Sequence, residues 1–204
     1  MIFTVLFSLF FGAAHPQGEL IERVVAVVDR QALTLLEVKR TARLEIAKRS
    51  GLVALSTPID AAFLNHTRTH IVQQILLLNE AHRAAFPVPT AQEVENSMKS
   101  FIQRFPDQES FSRLLKSIDI NIDDLRDFLR KDLLAEKFLD SRIQSRLELT
   151  PQEIAQYQTS HSQLTSQQAL EQLKAEKFVA RSRAYIDELM TRADIKFIGD
   201  LGDQ

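Results

Sequence analysis

Three short patterns in the chain carry side chains of the types that do chemistry. His66 and His70 stand four apart, the spacing that sets two imidazoles on one helix face in many metal sites. Thr67, Arg68 and Thr69 lie between them, so the HExxH pattern of a zinc hydrolase is missing and a guanidinium opposes any cation. The pair is therefore expected on a solvated helix face. Asp119-x-Asn121-x-Asp123 opens like a calcium loop, but Asp124 stands where glycine is needed for the turn. Arg130 stands where the loop needs a bidentate Glu. Asn121 is better read as a helix cap, with Asp123 and Asp124 favouring the positive end of the helix. Ser160-His161-Ser162 pairs hydroxyls with an imidazole, the ingredients of nucleophilic catalysis. It lies in a polar stretch without an apolar scaffold to hold it rigid. No glycine-rich phosphate loop is present. These residues predict a non-enzymatic chain with no catalytic residue, cofactor or metal.

The whole-chain numbers set the outer limits. The 204 residues suffice for one sizeable domain or two small ones, and 45% hydrophobic content is that of a globular protein. A net charge of −2, with Lys and Arg interleaved among Asp and Glu, gives no reason to expect nucleic acid. The absence of cysteine removes disulfides, thiolate nucleophiles and zinc–thiolate sites together.

Ile2 to Phe11 is an uncharged apolar run, followed at once by Gly12, Ala13 and Ala14. As a helix the run spans about 15 Å, half a bilayer core. It is read as a signal peptide over residues 1–14, cleaved after Ala14. It departs from the usual pattern in having no Lys or Arg ahead of the run. No later stretch is long and apolar enough to span a membrane, so no stable membrane insertion is expected after cleavage.

The remaining residues, 15–204, read as one domain. Arg23 to Thr34 is rich in β-branched side chains and predicts a hairpin turning at Asp29-Arg30-Gln31. Its expected third strand is Asp194 to Ile198, which alternates polar and apolar residues. Between them the chain reads as helix. Thr34-x-x-Glu37, Thr90-x-x-Glu93 and Thr150-x-x-Glu153 are capping boxes, Thr165-x-x-Gln168 a weaker one, and Pro151 sits at a first helical position. A central helix near Ile59 to Ala85 is apolar almost all round, through Ile71, Val72 and Ile75 to Leu78. After Asn121, Ile122, Leu125, Leu129, Leu133, Phe138 and Leu147 fall near one stripe. A final helix spans about Ser166 to Arg192, and Tyr157 to Gln168 is a polar connector. The fold class is mainly α, an irregular bundle of about six helices with a small antiparallel β-sheet joining the N- and C-terminal segments.

This layout resembles the N-terminal chaperone module of the periplasmic folding factor SurA and its relatives. The resemblance is carried by Val24 to Val38, His70 to Ala81, Thr90 to Met98, Asn121 to Phe138, Leu147 to Tyr157 and Thr191 to Phe197. It implies a periplasmic, ATP-independent chaperone whose partners are unfolded polypeptides, outer-membrane protein precursors among them. The alternative is a structural or adaptor protein that docks a folded envelope partner. Relatives carry parvulin-type prolyl isomerase domains of about a hundred residues where this chain has only residues 157–168, so no isomerase activity is expected. At the hairpin turn relatives usually have Asn-Gly and this chain has Arg30-Gln31, which predicts a longer or irregular turn. Phe101, Phe105 and Phe111, around a helix–helix turn at Pro106, either pack in the core or form an apolar patch that receives client side chains.

Overall fold

The computed structural model describes residues 23–201. The signal-peptide assignment lies outside them. Val24–Val28 forms strand β1, and Gln31–Thr34 returns beside it as β2. The turn is tight, not long. Gln31 already pairs with Val28, so only Asp29 and Arg30 bridge the strands. Asp29 takes the left-handed conformation at φ +54°, which Asp tolerates better than most residues. The irregularity sits instead at the open end, where the register slips between Val24 and Ala26. Ile195–Phe197, strand β3, pairs antiparallel with the other edge of β1, with Ile195 opposite Val28. The sheet order is β2-β1-β3.

The helices begin where a side chain can satisfy the first free N–H groups. They are α1 (Leu35–Ser50), α2 (Ala61–Arg83), α3 (Ala91–Ile102), α4 (Gln108–Ser117), α5 (Ile122–Gln144), α6 (Pro151–Ser160) and α7 (Ser166–Arg192), with a 3-10 turn over Gly51–Leu55. Thr34, Thr90, Thr150 and Thr165 each close a capping box, and so does Asn121 with Asp124. The seventh helix, beyond the six expected, is α4. Asp107 caps it through the Ser110 N–H at 2.7 Å, directly after Pro106. The connector is shorter than residues 157–168, because α6 continues to Ser160 and Thr165 already caps α7.

Two apolar cores share α1 and α5. The first gathers the sheet, α2, the second half of α5 and the end of α7, with Val25, Val72, Leu76, Phe138 and Leu189 at its centre. The second joins the end of α1 to α3, α4 and the start of α5 around Leu44, Met98, Leu114 and Leu125. α2 is the buried central helix, as its sequence predicts. The stripe on α5 differs from the expected one. Leu134 is buried where Leu133 is only half-buried, Ile122 is 38% exposed, and Leu147 lies past the helix end. Leu125, one turn further on, is the first residue of α5 fully buried in the second core. α6 has no buried residue and packs on α7 alone among the major contacts. Among the described residues no helix is long and apolar enough to cross a membrane.

Candidate functional site

A groove runs between α1 and α5 over α2. It comprises two hollows of about 480 and 380 Å³ that share Thr41, Gln74 and Phe128. The floor is apolar. Leu44, Ile71 and Ile75 are buried beneath it, and Leu78, Ile120 and Phe128 reach it half-buried. Helical spacing produces this floor, since Ile71, Ile75 and Leu78 stand on one face of α2 at intervals of four and three.

The walls carry both signs of charge. Lys48 of α1 pairs with Asp132 of α5 and braces one end of the groove. Arg40 fastens α1 to the loop before α5, donating to the carbonyls of Ile118 at 2.9 Å and Asp119 at 2.7 Å and to the Asp119 carboxylate at 3.0 Å. His70 Nδ1 lies 2.5 Å from Glu45 Oε1. The hydrogen bond to that carboxylate raises the His70 pKa above its ordinary value, against the opposing effect of burial. An arrangement of this kind can bury apolar side chains of a bound segment while its rim orients polar backbone.

The residues singled out by type do not converge. His70 is occupied by Glu45, and His66 is exposed on the same helix. Thr67 between them is fully buried, so only part of this stretch is a solvated face. Asn121 accepts from the N–H groups of Asp123 and Asp124 at 2.7 and 3.0 Å, as a helix cap does. The Ser160 hydroxyl donates to the Gln156 carbonyl, while His161 stacks on Tyr157 with ring centres 4.1 Å apart. Among the described residues no group of three His, Cys, Asp or Glu is placed to hold a metal ion.

Phe101, Phe105 and Phe111 do not form a receiving patch. They are 2%, 7% and 2% exposed, and their rings pack against one another at 5.7–6.4 Å. Two helices and the turn at Pro106 close over them, and edge-to-face contact holds the cluster shut. Sequence reasoning passed over Phe128, which lines both hollows. Its only local signal is its place next to the buried Leu129 on an amphipathic helix. Neither the models of known protein families nor the curated proteins compared with this chain give a match.

Proposed function

We propose that this protein binds non-native polypeptides in the periplasm, without ATP and without catalysing a reaction. The observation that carries this reading is the apolar-floored groove between α1 and α5. Burying a client side chain there contributes about 25 cal/mol per Å², and the cost of ordering the client offsets most of it. Binding is then weak and reversible, as a chaperone requires. The resemblance of the six quoted segments to the SurA chaperone module points the same way and supplies the client class, unfolded outer-membrane protein precursors.

The purified full-length protein is expected to suppress aggregation of an unfolded model protein at near-stoichiometric ratio. Leu78→Lys, which sets a charge on the groove floor, is expected to reduce that protection. If the wild-type protein neither protects nor binds an unstructured apolar peptide by fluorescence, the reading fails.

One observation favours a second reading, an adaptor for a folded envelope partner. The three phenylalanines best suited to grip a client are buried in the second core. A pull-down dominated by one native partner and indifferent to client unfolding would decide for the adaptor.

A further inference from the structure

We propose that a hollow between the end of α5 and α7 binds a phosphate oxyanion. The site is separate from the α1–α5 groove. It has a volume of about 230 Å³ and is lined by Arg142, Arg146, Arg181, Tyr185 and Glu188 together with two apolar residues.

Its charge is unbalanced. Three guanidiniums face one concavity with a single carboxylate, and that carboxylate, Glu188, is 3.5 Å from Arg192 outside the hollow. Arg142 stands in the last turn of α5 and Arg146 in the turn just beyond its end, so two like charges lie close in sequence at one rim. Neither forms an ion pair among the described residues. The negative end of α5 accounts for one cation there, and Arg142 is placed to serve it. It does not account for Arg146, nor for Arg181, which arrives from α7 and donates to the Arg146 backbone carbonyl.

The donors suit the ligand. Each guanidinium presents up to five N–H groups in a planar fork that matches phosphate oxygens two at a time. The bond from Arg181 to the Arg146 carbonyl fixes that side chain while leaving other N–H groups unused. Tyr185 also lines the hollow, and its hydroxyl is buried behind that surface without a hydrogen-bond partner. A bound oxyanion would neutralise the arginines.

The oxyanion could be free phosphate or the headgroup of a phospholipid, and the test separates them. Thermal unfolding of the full-length protein is followed with inorganic phosphate against chloride at matched ionic strength. Sedimentation is followed with vesicles of phosphatidylglycerol against phosphatidylcholine. The wild-type protein is expected to respond saturably in one arm, which names the source. The Arg142→Gln/Arg146→Gln variant keeps the backbone carbonyl that Arg181 uses. It is expected to lose about tenfold in affinity for each charge removed. Its far-ultraviolet circular dichroism reports that it is folded, and Arg181→Gln provides an independent variant. No response beyond the chloride and phosphatidylcholine controls, or equal responses from wild type and folded variants, overturns the proposal.

Discussion

The backbone N–H of Ile198 donates to the carbonyl of Val25 at 2.9 Å, so the end of the described chain is stitched to its beginning. Around that bond, the Asp29 N–H donates to the Asp194 carbonyl at 2.8 Å, and Arg68 of α2 donates to the Gly199 carbonyl at 2.9 Å. The same guanidinium lies 4.9 Å from the centre of the Phe197 ring, a cation–π contact. The third strand is short, and these ties add to its ladder pairing with β1.

Ile198→Pro removes the N–H that reaches Val25 and restricts Phe197 before it. The variant is expected to unfold with about 1–2 kcal/mol less stability in urea, the cost of a lost hydrogen bond plus local strain. An unchanged midpoint would show that the strand adds nothing to the fold.

Gly51 ends α1 at φ +55° with ψ −122°, a conformation that side chains rarely adopt. A Cβ there would meet the Arg104 carbonyl oxygen at 2.0 Å. Gly51→Ala is expected to destabilise by at least about 1–3 kcal/mol from backbone strain alone, before the steric clash is counted. Chemical denaturation measures this directly.

Thr67 is fully buried on α2, and its hydroxyl has no hydrogen-bond partner. Val has nearly the same shape and no polar atom to desolvate. Thr67→Val is therefore expected to raise stability, by about 1 kcal/mol or more. A destabilised variant would mean that the hydroxyl is satisfied in solution.

Glu93 and Glu153 each cap a helix and also pair with a lysine across helices, Lys137 and Lys177. The lysine hydrogen bond, with help from the capping threonine, lowers each carboxyl from 4.5 to about 2. Because the folded pKa is depressed, the stabilisation is present above the unfolded value of 4.5 and fades as pH falls from there through 2. Glu93→Gln/Glu153→Gln is expected to lower the melting temperature at neutral pH and to flatten its fall on acidification.

His70 behaves in the opposite sense. Its folded pKa is raised by Glu45, so its contribution is complete below the unfolded value of 6.5 and is lost as pH climbs through the folded one. His70→Gln is expected to remove a decline in melting temperature as pH rises above 6.5. A proton NMR titration of the His70 ring that gives a pKa at or below 6.5 would contradict the pairing.

Much of the local architecture was legible in the residues alone, because caps and turns act over three or four positions. Thr34, Thr90, Asn121, Thr150 and Thr165 mark helix starts through hydrogen bonds that need no distant partner. The valine run and the alternation of Asp194 to Ile198 likewise announced strands, and α2 announced its burial by being apolar all round. Asp107 carried the same kind of signal for α4, though a single Asp after a proline is easily taken for a turn. Burial was decided only in three dimensions. Phe101, Phe105 and Phe111 could cover a surface or fill a core, and the approach of α3 to α4 filled the core. The groove arises because α1 and α5 both pack on α2 and are braced apart by ion pairs from Arg40 and Lys48. The arginine hollow needs residues from α5 and α7 to meet. Contacts between residues far apart in sequence leave no periodicity to read, so only the folded chain discloses them.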